Sequence, residues 1–218
     1  MQRGVDHMAT FREAGDRELY LGLLHELAPF FACEVHAYVL MTNHVHLLVT
    51  PRTDAGCSSL MKNLGQRYVQ AVNRRWGRSG PLWGDRFKSC FVDTLTYALR
   101  CQRYIEMNPV RARMVRHPAE YRWSSFRSNA FGVPSPLLKP LTAYVDLGSD
   151  EEERRLAYRG FFDEPESEEF GEEIRAATRA GRGIGSPDFL ERLKGLVGPA
   201  AVRPKPGRRR RRIDPNMN

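Results

Sequence analysis

Hydrophobic residues follow two different periods along this chain. Residues 35–50, Val-His-Ala-Tyr-Val-Leu-Met-Thr-Asn-His-Val-His-Leu-Leu-Val-Thr, form two apolar stretches broken at Thr42 and Asn43. Short apolar runs on either side of a turn predict two paired strands. Side chains alternate along a strand. Val45, Leu47 and Val49 therefore take the core face of the second strand, and His44 and His46 share the other, their backbones about 7 Å apart. Elsewhere the spacing is three–four, which predicts helices. One is capped at Asp16 and carries Leu19, Leu23, Leu24, Leu27 and Phe31, with Pro29 near its end. A second begins at Ser58 or Ser59 and carries Met61, Leu64, Tyr68, Val72 and Trp76, before the breaker Gly77 to Pro81. A third, capped by Asp93 or Thr94, runs to about Asn108 with Tyr97, Cys101, Tyr104 and Asn108 on one face.

Between them, residues 82–92 read as a strand with Trp83, Phe87 and Phe91 on one face and Arg86 and Lys88 on the other. Residues 121–126, Tyr-Arg-Trp-Ser-Ser-Phe, form an aromatic and basic cluster suited to closing a domain. Pro134, Pro136 and Pro140 then mark a linker, followed by helical patterns around Leu156, Tyr158 and Phe161 and, from Ser186 or Asp188, around Phe189, Leu193 and Val197. The pattern predicts an α+β domain over 1–130, a helical extension over 131–202 and a disordered basic tail over 203–218.

Charge sharpens this division. The 218 residues carry a net +8, but residues 1–145 carry +8, residues 146–173 carry −9 and residues 174–218 carry +9. A segregated basic surface points to a polyanionic partner, and nucleic acid is the expected one. Arg67, Arg74, Arg75, Arg86, Lys88 and Arg111 are the candidates for phosphate contacts. The four cysteines form no C-x-x-C pair, which argues against a zinc ribbon or a thioredoxin-like site. No signal-peptide pattern and no bilayer-length apolar run is present, so a cytoplasmic protein with reduced thiols is expected.

Two imidazoles side by side on a strand are half of a metal site, because each offers a neutral ring nitrogen. They are equally consistent with a wet sheet face opposite a buried one. A third ligand and a reactive group elsewhere would separate these readings. Here the motifs add something. Asn43-His44-Val45-His46-Leu47-Leu48-Val49 resembles the histidine–hydrophobe–histidine motif of the single-tyrosine HUH transposases, the IS200-like superfamily. Tyr104-Ile105-Glu106-Met107-Asn108-Pro109-Val110-Arg111-Ala112 resembles the tyrosine helix of the branch called REP-associated tyrosine transposases. The resemblance runs from about Arg3 to Phe126, and having both motifs in order makes it specific.

The resemblance implies a ferredoxin-like core, an antiparallel sheet with helices mainly on one face, and a helical C-terminal extension. It implies metal-dependent nicking and joining of single-stranded DNA, with hairpin structure, through a 5′-phosphotyrosine. Tyr104 would be the nucleophile. His44, His46 and Asn108 would hold Mg2+ or Mn2+, although an Asn before Pro can equally serve only to end a helix. Glu106 is a stronger ligand chemically but points away from Tyr104 on a regular helix. Tyr97 and Tyr68 are rival nucleophiles for which core packing is the default, and His36 reads as structural. Monomer and homodimer both remain open. Family members start with a strand ahead of the stretch matched here by Arg3-Gly4, so a stub of a first strand and an exposed sheet edge are expected. A non-catalytic single-strand DNA-binding protein derived from a transposase is the second reading. A hydrolase of small phosphoesters is the third, disfavoured by the cationic surface.

Overall fold

The computed structural model describes residues 1–93, 97–163 and 167–202. In chain order the elements are β1 (Gln2–Arg3), α1 (Ala14–Phe30), β2 (Cys33–Leu40), β3 (His44–Pro51), α2 (Gly56–Trp76) and β4 (Phe91–Val92). There follow α3 (Ala98–Glu106), α4 (Asn108–Arg111), α5 (Phe126–Phe131), α6 (Thr142–Val145), α7 (Glu151–Gly160), α8 (Glu168–Ala180), β5 (Gly183–Ile184) and α9 (Pro187–Val197). The architecture is α+β, with an antiparallel sheet in the order β1-β3-β2, so the histidine strand is central. The cationic tail expected over 203–218 and the candidate cap Thr94 lie outside the described residues.

The sheet is buried on both faces, and a bulge makes this possible. Pairing of β2 with β3 slips between Val35 and Ala37, which shifts the alternation by one residue. Val35, Tyr38 and Leu40 thereby share a face with Val45 and pack with Leu24, Leu27, Leu60 and Leu64 of α1 and α2. Ala37, Val39 and Met41 take the opposite face and pack with Cys101, Tyr104 and Ile105 of α3 and with Phe170, Ile174 and Ala177 of α8. The two longest helices thus share the aliphatic face, and the tyrosine helix lies on the histidine face.

Several local expectations shift by a residue or two. Asp16 is not the cap of α1. Glu13 is the cap and Asp16 is the third helical residue, closing a capping box while its carboxylate also accepts from Arg75 at 2.9 Å. Pro29 lies inside α1, which ends one residue later at Phe30; the ring removes the N–H that would bond the His25 carbonyl. α2 begins at Gly56 and ends at Gly77, whose φ of +61° suits a residue without Cβ. The third helix breaks at Met107, one residue before Asn108, and resumes as α4 with Pro109 in its first turn.

The strand expected over 82–92 forms only at Phe91–Val92, and Phe91 is 48% exposed. The residues before it serve the sheet differently. Trp83 bridges Gly4, Gly84 N–H donates to the Arg3 carbonyl, and Lys88 and Met1 exchange hydrogen bonds. The β1 edge expected to be exposed is therefore covered by this irregular segment. The β2 edge is covered in the same way by residues 121–125. Trp123 accepts from Leu40 N–H, Ser125 N–H donates to Tyr38, and the Tyr121 hydroxyl donates to the Leu40 carbonyl at 2.7 Å. Unpaired edges invite association, and both are blunted here.

Residues 131–202 attach to both ends of α3. At its start, β5 pairs with β4, and the Asp93 carboxylate accepts from the Ser186 N–H and hydroxyl at 3.1 and 2.7 Å. At its end, Glu106 is 0% exposed. Its carboxylate accepts from Ser125 Oγ at 2.5 Å, Asn129 Nδ2 at 2.7 Å and Tyr158 Oη of α7 at 2.7 Å. Burial pushes this carboxyl up to about 7, against the pull of the three donors. Glu106→Ala would strand three buried donors. Its expected cost is roughly 2–4 kcal/mol in urea unfolding, with Glu106→Gln costing less than half of that. An Ala variant within about 0.5 kcal/mol of wild type would show that the network holds nothing.

Candidate active site

Strand alternation and the bulge bring His44 and His46 to the face that meets α3. Their ring centroids lie 5.2 Å apart. The Tyr104 ring lies 6.1 Å from His46 in an edge-to-face arrangement. A residue nearly sixty positions away is thus placed beside the imidazole pair by the packing of α3 against β2 and β3.

Both imidazoles are held neutral near pH 7. Burial lowers His44 to about 4, with Arg3 opposite it in the sheet adding to the effect. Burial likewise holds His46 well below the usual range, and neighbouring positive groups, Arg111 among them, push the same way. A neutral imidazole has a free lone pair, which is the form a metal takes. His44 is also oriented. Its Nδ1 lies 2.7 Å from Asn43 Oδ1, and Asn43 Nδ2 donates to the His7 carbonyl at 3.1 Å. With its amide nitrogen committed to a carbonyl, Asn43 presents an acceptor oxygen. Nδ1 must then carry the proton and Nε2 the lone pair. Asn43 entered the sequence reading as a turn residue and a motif neighbour. Its orienting part follows from the bond it makes, and spacing carries no signal of that.

Among the described residues no group of three or more His, Cys, Asp or Glu gathers as a metal site. Asn108 Nδ2 donates to the carbonyls of Tyr104 and Ile105 at 2.9 and 3.1 Å. Its nitrogen thus closes the end of α3, as a helix-ending Asn does. Glu106 faces away from the imidazoles into its own network.

Tyr104 is only 4% exposed. It lies in the cluster with Phe170, Ile174 and Ala177, and a methyl group on Gly171 of α8 would stand 3.6 Å from Tyr104 Cε2. The phenol is beside the imidazoles but beneath α8. Arg111 stacks on its ring, with the guanidinium carbon 3.8 Å from the centroid, and donates to the Tyr104 carbonyl at 2.6 Å. The rival tyrosines are used elsewhere. Tyr68 is buried and donates to the Thr10 carbonyl at 2.7 Å, and Tyr97 stacks near Phe170. His36 is tied at both nitrogens, to the Lys139 carbonyl and to Thr50 Oγ1.

The remaining cations are not gathered at this point. Arg67 pairs with Glu26 at 2.6 Å, Arg75 with Asp16 and Glu13, and Arg74 lines a shallow groove with Arg67 between α1 and α2. α2 lies on the aliphatic face of the sheet, so these three are across it from the imidazoles. Arg86 and Lys88 are exposed on the segment running along β1.

Residues 8–108 match the family model described as transposase, IS200 like. The match spans the strand pair and α3, a little under half of the chain, and makes this segment similar to that family. No curated protein and no solved structure compared with the chain matches it. Among the described residues no helix is long and apolar enough to cross a membrane.

The bond from Asn43 to His44 yields a direct expectation. If the imidazole pair holds Mn2+, Asn43→Ala, which frees the His44 tautomer, should weaken that binding about tenfold in calorimetry, with the fold intact. Equal affinities in variant and wild type would remove Asn43 from the site.

Proposed function

We propose that the chain is a single-strand DNA nicking and strand-transfer enzyme of the IS200-like type, acting through Tyr104, with affinity to the REP-associated branch. The single observation that supports this best is the Tyr104 ring 6.1 Å from His46 within the matched segment. His44, His46 and the Asn108 carboxamide oxygen would hold a divalent cation, Mg2+ or Mn2+. The donor set fits, since two neutral imidazoles and one amide oxygen suit a cation that must keep positions open. When bound, such a cation draws charge from the phosphoryl oxygens of DNA.

The residues of the chain do the rest. Tyr104 Oη attacks the phosphorus, forming an Oη–P bond as the P–O3′ bond breaks. The phenol gives up its proton to solvent water, and the departing 3′ oxygen takes one from solvent. The product is a 5′-phosphotyrosine and a free 3′-hydroxyl. Because the phosphoester bond is conserved, a 3′-hydroxyl can later displace Tyr104 and join strands without ATP. The Asn108 amide and the Arg111 guanidinium hold the end of α3, which restricts where Oη can go. DNA can reach Tyr104 only if α8 shifts from it, since the ring is 4% exposed. The exposed cations Arg86 and Lys88, on the segment that runs along β1, suit the strand leading in.

The burial of Tyr104 also favours the second reading, a non-catalytic single-strand DNA-binding protein. Incubation of the full chain with labelled hairpin-bearing single-stranded DNA and Mn2+ separates the two. A covalent protein–DNA adduct is expected on denaturing gels. It should be lost in Tyr104→Phe and reduced at least a hundredfold in His46→Ala, a loss of about 2.7 kcal/mol of transition-state stabilisation. Binding without adduct in any divalent metal would establish the second reading, and an adduct that persists in Tyr104→Phe would transfer the role to another residue.

A further inference from the structure

Arg111, expected among the phosphate contacts, is exposed, and its guanidinium also meets Tyr104. It belongs to the short α4, and its side chain folds back across the helix break at Met107. There it makes two contacts with one residue. Nη2 donates to the Tyr104 carbonyl at 2.6 Å, and the planar head lies 3.8 Å from the Tyr104 ring centroid. The first contact fixes the backbone at the end of α3, as a cation at a helix C-terminus does. The second lies on the ring itself and limits its rotation. Two other surfaces bound the same ring, His46 edge-to-face and Gly171 against Cε2.

We propose that Arg111 is a positioning residue that holds the face of the Tyr104 ring and so aims its hydroxyl along the imidazole pair. The inference rests on Tyr104 being the nucleophile. Only a planar fork can stack on an aromatic face and donate to a backbone carbonyl at once. Lysine can supply the charge at the helix end but not the stack. Arg111 is itself exposed. Replacing it leaves no buried cavity, and its variants are expected to fold. A phosphate contact and a ring clamp also fail differently. Loss of the former weakens DNA binding, whereas loss of the latter slows the bond-making step on DNA already bound.

The test uses the full chain, hairpin-bearing single-stranded DNA and Mn2+, comparing wild type with Arg111→Lys and Arg111→Met. The Met variant should form the covalent adduct at least tenfold more slowly at saturating DNA, with its Kd for DNA changed less than twofold. The Lys variant should be nearly as slow. Raised Kd with an unchanged rate at saturation would make Arg111 a phosphate contact and overturn the proposal. A Lys variant as fast as wild type would reduce it to a helix cap, which also overturns it. If wild type forms no adduct, the functional reading fails, and the clamp is then judged by ¹⁹F NMR of protein labelled with 3-fluorotyrosine. The Tyr104 resonance, assigned by its loss in Tyr104→Phe, should be a single line that shifts or broadens in Arg111→Met. An unchanged line would refute the clamp independently of any chemistry.

Discussion

One strand has to satisfy two environments. β3 lies at the centre of the sheet, with Val45 facing the aliphatic layer of α1 and α2 and His44 and His46 facing α3. Burial of the first set anchors the strand, and the anchored strand presents the second set at a fixed spacing. The bulge in β2 is part of the same constraint. The slip between Val35 and Ala37 puts Val35 on the face of Tyr38 and Leu40 and leaves Ala37 and Val39 on the other. The imidazole pair is thus held by hydrocarbon packing on the reverse side of its own strand.

The nucleophile candidate depends on that face but also on chain far downstream. α3 is held at its start through Asp93 and Ser186, in the middle by α8, and at its end through Glu106 and Tyr158. These contacts differ in character. The middle one is apolar and covers Tyr104. The end contacts are hydrogen bonds to buried carboxylates, which have strict directional demands. The matched segment 8–108 ends near the close of α3, so the contacts that steady this helix lie largely outside it.

Much of this was legible in the residues, for identifiable reasons. Strong period-two and period-three patterns placed β2, β3, α1, α2 and α3, and the four-three-four spacing put Tyr97, Cys101 and Tyr104 on one face. The sheet face of His44 and His46 followed from alternation alone. Local chemistry was harder to read. Asp16 looked like a cap and closes the capping box from within the first turn. Residues 82–88 carry strand-like residues but serve as an irregular edge, since their pairing partner is a two-residue strand. Least legible were the side-chain bonds between distant segments. Nothing in local spacing shows that Asn43 orients His44, that Arg111 turns back onto Tyr104, or that Glu106 collects Ser125, Asn129 and Tyr158.

The Glu106 cluster also bears on the order in which this polypeptide can mature. Its three donors come 19, 23 and 52 residues after it. A chain emerging from the ribosome exposes the acid well before the last of those groups exists, and synthesis at about 5–20 residues per second makes that interval several seconds. Until Ser125 and Asn129 emerge the carboxylate can be satisfied only by water, and until Tyr158 follows its set of donors stays incomplete. The histidine strand and its aliphatic backing are complete by then, so the part that would bear the reactive phenol is the last to lock in place.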